Sequence, residues 1–166
     1  LGEMFNFGIP VPNGFVVTAQ AYEYIIDHNA LAPVIQEIIR QTDVNNQKEL
    51  EKSSIKIQRL IHTADIPPEL IKEIFELYQS LKKGDKTPLV AVRSSATAED
   101  LPDASFAGQQ ESYLDIKGEA NLIQAIRHAW GSLWGARAIF YRATKSYDHF
   151  KVLLAVPVQL MVQSEI

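Results

Sequence analysis

Apolar residues recur at helical spacing through the first half of the chain, with polar residues between them. Thr18 can N-cap a helix over Ala19–His28, and Pro33 suits the first turn of a second short helix. A third helix is predicted over Gln47–Ala64, and the Pro67-Pro68 pair ends it and begins a fourth. The predicted inward positions of the last three helices are Val34, Ile35, Ile38 and Ile39; Leu50, Ile57, Leu60, Ile61 and Ala64; and Leu70, Ile74, Leu77, Tyr78 and Leu81.

Other segments have the hydrophobic pattern of β-strands. Phe15–Val17 predicts a short strand, and the continuous apolar run Leu89–Val92 suits a buried one. Glu111–Asp115 predicts a third strand, and Leu153–Gln163 predicts a fourth in which apolar and other side chains alternate. In that last strand Val158, Leu160 and Val162 face one way, and Gln159, Met161 and Gln163 face the other.

Two further helices are predicted between the last two strands. The first begins near Glu119, and the second covers Ala136–Ala143. Aromatic residues at helical spacing on these helices favour core packing, whereas Arg137 and Arg142 are predicted to be charges on helix surfaces. The aromatic residues are Trp130, Trp134, Phe140 and Tyr141, and the inward aliphatic residues are Leu122, Ile123, Ile126 and Leu133.

Composition and charge narrow the class of protein. A chain of 166 residues with 46% hydrophobic and 22% charged residues has the composition of a globular domain. Its formal charge of -4 argues against non-specific nucleic-acid binding, although a local phosphate site needs only a few donors. The absence of cysteine excludes disulfides and sulfur-based zinc sites. The longest apolar stretch, Val152–Val162, is too short to span a bilayer, and a cytoplasmic location is expected.

Common nucleotide and metal motifs do not occur in the sequence. It has neither a Gly-x-x-x-x-Gly-Lys phosphate loop nor a dinucleotide fingerprint after a strand. The four histidines lack metal-ligand spacing, so surface or capping positions are predicted for them. These histidines are His28, His62, His128 and His149.

The segment from Arg93 to Gln110 has the character of an anion site. Arg93 follows a buried strand, and its guanidinium presents a planar fork of donors that fits phosphate oxygens. Small residues after it let backbone N–H groups approach an anion, and Gly108 removes the last side-chain obstacle. An alternative stays open here, in which Arg93 pairs with Glu99 or Asp100 and the segment is a surface turn.

The polar face of the last predicted strand is a second candidate. The Gln159 amide carries a donor and an acceptor, so it can match the edge of an adenine, with Met161 as a polarizable neighbour. The residues alone favour a different interpretation, in which the segment is an edge strand with a solvated face.

A long block around Arg93 resembles a known nucleotide-binding signature. The block is Val92–Leu114, which reads VRSSATAEDLPDASFAGQQESYL. It is similar to the signature of phosphoenolpyruvate synthase (pyruvate, water dikinase) and its relatives in the pyruvate phosphate dikinase family. Shorter blocks that match in family order are Leu1–Met4, Gly8–Phe15, Trp130–Trp134, Arg137-Ala138, Tyr141-Arg142 and Val158–Val162.

The resemblance implies an α+β fold, the first part of an ATP-grasp-like domain that is helix-rich with a mixed sheet. It implies that Arg93 contacts the ATP phosphates, and that Gly108 and Ser112 line the phosphate and ribose region. It also implies that Gln159 lies at the nucleotide base. Ser112 is assigned through the resemblance alone.

The resemblance also implies a reaction and its participants. ATP and Mg²⁺ would serve to phosphorylate a histidine on a separate swivelling domain, and the phosphoryl group would pass to pyruvate. The products would be phosphoenolpyruvate, AMP and phosphate. The implied partners are ATP and the phosphohistidine and pyruvate-binding domains of the same parent protein, with no nucleic acid and no membrane.

Residues 1–166 are expected to form a partial nucleotide domain of this type, truncated at both ends. The family's Gly-Gly-Lys is expected just before Leu1, and the acidic metal ligands beyond Ile166, so the chain alone is expected to be inactive. Two alternatives stay open. One is the same domain in a rifampicin phosphotransferase or another dikinase, and the other is a non-catalytic nucleotide-binding module.

Overall fold

The fold is described from a computed structural model, which covers residue 7, residues 11–96 and residues 112–162. Within these ranges the helices are α1 (Ala19–His28), α2 (Leu31–Arg40), α3 (Gln47–His62), α4 (Pro68–Ser80), α5 (Glu119–Ser132) and α6 (Ala136–Thr144). The strands are β1 (Gly14–Val17), β2 (Leu89–Arg93), β3 (Ser95–Ala96), β4 (Ser112–Lys117) and β5 (Leu154–Leu160). The expected helix-rich α+β class is confirmed.

Local sequence signals explain where the helices begin. The Thr18 side chain accepts a hydrogen bond from the Ala21 N–H at the start of α1, as its N-cap position predicts. Asn46 caps α3 in the same way, because its side-chain oxygen accepts from the N–H groups of Lys48 and Glu49. Pro68 is the first residue of α4, where the missing N–H costs nothing.

The strands form one sheet in the order β1-β5-β2-β4, with β3 also paired to β5. The sheet was expected to be mixed, but every pairing among the described strands is antiparallel. The reason is that β5 returns between β1 and β2 and runs opposite to both. β5 is therefore a central strand, and its interpretation as an edge strand is wrong.

One register relates β5 to both β2 and β3. Val92 lies opposite Val158, and Ser95 lies opposite Ala155, so the same alignment continues from β2 into β3. The same alignment places Pro157 opposite Arg93, the last residue of β2, and Pro157 has no N–H to donate there. The two strands are thus one extended segment that is interrupted where its neighbour lacks a donor.

Helices cover one face of this sheet and form the core with it. Val90, Val92, Val156 and Val158 are fully buried on that face, in one cluster with Trp130 and Trp134. The burial predicted for both tryptophans is confirmed. No helix in the described ranges combines the length and apolar character that a membrane span needs.

Three residues predicted to face inward are instead exposed, and one predicted surface residue is buried. Val34 and Leu77 are 46% and 39% exposed, because each lies at the margin of the buried face of its helix. Phe140 is 42% exposed, because it lies on the exposed face of α6 with Arg137 and Thr144. Arg142 is 0% exposed. Its guanidinium lies 5.0 Å from the Trp134 ring centroid and its Nε donates to His149, so ring and imidazole replace solvent around it.

Candidate functional site

Arg93 is the last residue of β2, and its side chain is exposed. The strand is buried up to this point, so the guanidinium emerges where the core ends. It forms no ion pair with any residue of the described ranges. Glu99 and Asp100, the partners in the alternative interpretation, lie outside the described residues. Within those ranges Arg93 is available to an external anion.

Ser112 is the nearest neighbour of Arg93 in the sheet. The two residues lie directly opposite each other in the β2–β4 ladder, so their side chains share one face of the sheet. Ser112 is exposed as well. The two side chains therefore extend from directly paired positions, and the position of Ser112 was predicted through the resemblance alone.

Gln159 lies on the same face, one strand further across. It is paired with Ala91, which precedes Arg93 by two residues and so points to the same side. The Gln159 side chain is half-buried, and its amide forms no hydrogen bond with any part of the chain that the structure describes. Register therefore brings Arg93, Ser112 and Gln159 onto one surface.

Gly14 belongs to this surface too, although the sequence pattern did not indicate a site residue at this position. It is the direct partner of Gln159 in the β1–β5 ladder. A Cβ at Gly14 would lie 3.1 Å from the Gln159 Cγ, so the glutamine side chain leans over the glycine. A glycine at a strand position signals such a close approach, but its partner strand could not be identified from the sequence.

The face continues into a cavity of about 560 Å³ at the start of β2 and the end of β5. Met161, two residues beyond Gln159, lines this cavity together with the apolar residues Leu89 and Leu160. Lys83 and Lys86 also line it. An apolar space with nearby cations suits a flat, partly apolar ligand that carries negative charge.

The chemistry available on the described face is binding rather than covalent catalysis. A guanidinium, a hydroxyl and an amide can hold an anion and a polar ring, but they contain no nucleophile paired with a base. Gly108 lies outside the described residues, so its contribution stays a prediction. The described ranges contain no group of three or more residues of metal-ligand type.

The histidines differ in burial: His28 is at the surface, whereas His149 is half-buried beside Arg142. His28 lies 3.6 Å from Asp65 at the surface, and the rings of His62 and His128 are 4.2 Å apart between centroids. His149 differs from the surface or capping role predicted for it. It is half-buried and accepts a hydrogen bond from Arg142 Nε at 3.0 Å, and burial together with the Arg142 charge lowers the pKa of His149 to about 4. His149 therefore packs beside the buried Arg142 guanidinium and, as a neutral imidazole, accepts its hydrogen bond.

Comparison with known proteins shows a family match over the whole chain. Residues 1–166 match the family described as "Pyruvate phosphate dikinase, AMP/ATP-binding domain". The chain is 50% identical over 167 residues to a probable phosphoenolpyruvate synthase of Methanocaldococcus jannaschii. It is 43% identical over 199 residues to the phosphoenolpyruvate synthase of Pyrococcus furiosus, and 46% identical over 171 residues to that of Aquifex aeolicus.

These relatives are much longer than the chain. Each alignment includes 99% of this chain but only 14%, 24% and 20% of the three relatives in turn. The chain therefore corresponds to about a seventh to a quarter of the curated relatives it matches.

Proposed function

Because the chain belongs to the pyruvate phosphate dikinase AMP/ATP-binding domain family, we propose that the Arg93 face is part of its ATP site. Arg93 binds the phosphates, Gly108 and Ser112 line the phosphate and ribose region, and Gln159 lies at the base. The observation that carries this assignment is the exposed guanidinium of Arg93, which shares a sheet face with Ser112 and Gln159.

The charges and spacing on this face support the assignment. Arg93 is the one cation of the three described residues, and a guanidinium binds phosphate oxygens in a bidentate manner. Gln159 lies two strands from Ser112, on the side of the sheet where the cavity opens. An elongated ligand with a charged end and a flat end fits that separation better than a small anion would.

The complete protein then acts as a phosphoenolpyruvate synthase. It consumes ATP and one water molecule: a histidine on another domain of the same protein takes up one phosphoryl group, water takes up the other, and AMP and phosphate are released. The phosphohistidine then transfers this group to pyruvate in a pyruvate-binding domain, giving phosphoenolpyruvate, in the cytoplasm. The residues of this chain contribute by positioning ATP and stabilising the developing phosphate charge.

Mg²⁺ does not fit the described residues of this face. Its preferred ligands are carboxylate oxygens, whereas Arg93, Ser112 and Gln159 supply one cation and two neutral groups. The described ranges also lack any cluster of three ligand-type side chains. We assign Mg²⁺ ligands to none of them and derive no step through the ion.

Substitution of Arg93 tests the proposal in the complete protein. Arg93→Ala should lower pyruvate-dependent AMP formation at least about 100-fold, because a phosphate-binding donor is lost at the reacting group. Arg93→Lys should recover part of the activity, since it keeps the charge and loses the bidentate fork. Arg137→Ala is the matched control, because Arg137 is exposed on α6 and makes no described contact with the site. Unchanged turnover in Arg93→Ala, with an unchanged circular dichroism spectrum, would refute the role of Arg93.

A direct acceptor assay tests the substrate class. The complete protein is incubated with ATP and either pyruvate or rifampicin, and the phosphorylated product is identified by mass spectrometry. We expect phosphoenolpyruvate and no phosphorylated antibiotic, in keeping with the names of the relatives. Phosphorylation of rifampicin would assign the chain to the other branch, and ATP binding without turnover would indicate a non-catalytic module.

A further inference from the structure

Arg142 on α6 is a fully buried cation with unused hydrogen-bond donors. Its side chain is 0% exposed, and its Nε donates to His149 Nδ1 at 3.0 Å. Its Nη1 and Nη2 atoms are also buried, and neither has a hydrogen-bond partner among the described residues. Buried polar groups in native proteins nearly always have partners, so these two nitrogens require an explanation.

The side chains around Arg142 offer more hydrogen-bond donors than acceptors. The Trp134 indole lies beside the guanidinium, and its Nε1 donates to the Tyr22 hydroxyl at 2.8 Å. Tyr22 therefore has one hydroxyl proton left to donate and one oxygen lone pair left to accept. Trp130 packs against Tyr22 with ring centroids 6.5 Å apart, and its Nε1 is a further buried donor that has no partner in the part of the chain that the structure describes. His149 already uses Nδ1 to accept from Arg142 Nε.

The charge on Arg142 also lacks compensation. Burial lowers the pKa of Arg142 to about 10, so the guanidinium stays protonated near neutral pH. Burial raises the pKa of Tyr22 to about 12, so that hydroxyl is neutral at the same pH. No carboxylate of the described ranges forms an ion pair with Arg142. An unpaired buried charge is costly, and the Trp134 ring face offsets only part of that cost.

A water molecule would satisfy these donors incompletely. It could accept from Arg142 and one neighbour, but it would bring two more hydrogens into a region whose described side chains already have surplus donors. A small anion accepts several hydrogen bonds, donates none, and neutralises the guanidinium. The donor surplus and the positive charge therefore both favour an anion.

We propose that Nη1 and Nη2 of Arg142 bind a small monovalent anion of the halide type, enclosed between α1, α5 and α6. The Tyr22 hydroxyl and Trp130 Nε1 supply further donors to it. The site is separate from the Arg93 face, because Trp130 and Trp134 belong to the core cluster on the helix-covered side of the sheet. The bound anion stabilises the fold and does not depend on ATP binding.

Bromide provides a direct probe of this site. The complete protein is unfolded and refolded in sodium bromide, so that an enclosed ion can exchange, and is then crystallised from bromide. Anomalous scattering at the bromine edge should show a peak within hydrogen-bond distance of Arg142 Nη1 and Nη2. A water or a protein acceptor at that position, with no anomalous peak, would overturn the proposal.

Stability measurements give an independent readout. At constant ionic strength, replacing gluconate by chloride should raise the thermal midpoint of the wild-type protein, because an anion that binds only the folded state stabilises it. Arg142→Met should lose this chloride response, while Arg137→Met on the same helix should keep it. A chloride response of equal size in Arg142→Met would refute the site, and if that variant does not fold, the bromide crystal decides alone.

Discussion

Gly14 lies directly opposite Gln159 in the β1–β5 ladder, and the space between them has no room for a Cβ atom. An ideal Cβ on Gly14 would lie 2.2 Å from the Val158 carbonyl oxygen and 3.0 Å from the Gln159 Cα. Both obstacles are backbone atoms of the central strand, which cannot move without disturbing β2 on its other side. Gly14 therefore fixes how closely β1 approaches β5 and gives the Gln159 side chain its room.

Gly14→Ala should destabilise the fold and weaken ATP binding together. The methyl group must push β1 away from β5, and overpacking of this kind costs about 1–3 kcal/mol. Displacement of Gln159 should raise the Kd for ATP in the complete protein, as measured by calorimetry. Gln20→Ala, at an exposed position of α1 that does not line the cavity, is the control and should change neither quantity. An alanine variant with wild-type stability and wild-type affinity would show that the strands tolerate the methyl group.

Removing the buried Tyr78 hydroxyl should destabilise the fold more than removing an exposed tyrosine hydroxyl. The Tyr78 hydroxyl donates to the Pro88 carbonyl at 2.6 Å and accepts from the Gly118 N–H at 2.8 Å, so it joins α4 to the residues before β2 and α5. Tyr78→Phe leaves the buried Pro88 carbonyl without this donor and should lower the free energy of unfolding by about 2 kcal/mol in urea titrations.

Tyr24→Phe is the matched control for that measurement. The Tyr24 hydroxyl donates to Glu69 Oε1 at 2.9 Å, but the side chain is 44% exposed, so water can replace the lost partner. We expect a cost below about 0.5 kcal/mol. Equal losses in the two variants would mean that the Tyr78 bridge adds nothing beyond a surface hydrogen bond.

Local signals in the sequence predict the elements and the position of Arg93 well. The run Leu89–Val92 is apolar throughout, and the arginine after it marks the end of burial, which is where the structure exposes that side chain. Thr18 and Pro68 set helix starts by side-chain capping and by the missing N–H of proline, both of which act within a few residues.

Pairing between distant segments could not be predicted in the same way. The central place of β5 depends on its insertion between β1 and β2, which nothing inside Leu153–Gln163 encodes. The same applies to Arg142, since an arginine near a helix end is ordinarily solvated. Its burial requires Trp134 and His149 to surround it, and only the folded chain brings them together. Of the site residues, Ser112 was therefore accessible only through the resemblance, since its place opposite Arg93 depends on strand register.

Replacing Ala30 by glycine should increase the stability of the fold. Ala30 adopts the left-handed conformation, with φ 47° and ψ 41°, between α1 and α2. This backbone region costs an L-residue with a Cβ roughly 1–2 kcal/mol, and the Ala30 methyl is exposed and so contributes no packing. Ala30→Gly should raise the free energy of unfolding by about 0.5–1 kcal/mol.

The same substitution two residues later should have the opposite sign. Ala32 lies in the first turn of α2, where glycine costs about 1 kcal/mol relative to alanine. Urea unfolding of Ala30→Gly and Ala32→Gly in parallel separates backbone strain from a general effect of glycine. A loss of stability in both variants would contradict the assignment of strain to Ala30.

His149 should make the stability of the protein depend on pH between about 6.5 and 4. Burial first, and then the Arg142 charge, lowers the pKa of His149 from 6.5 to about 4 in the folded protein. As the pH falls through this range, the unfolded chain takes up a proton at His149 that the folded protein does not. The free energy of unfolding therefore falls with it.

His149→Asn isolates that contribution. The asparagine side-chain oxygen can take the place of Nδ1 as the acceptor for Arg142 Nε, but it does not titrate. Urea midpoints are measured from pH 7.5 down to 4 for both proteins, so that the carboxylates common to both cancel in the difference. The stability of wild type relative to the variant should be constant above pH 7 and decrease steadily toward pH 4. Parallel curves across the range would mean that His149 titrates alike in the folded and unfolded chains, and that the hydrogen bond from Arg142 does not hold the imidazole neutral.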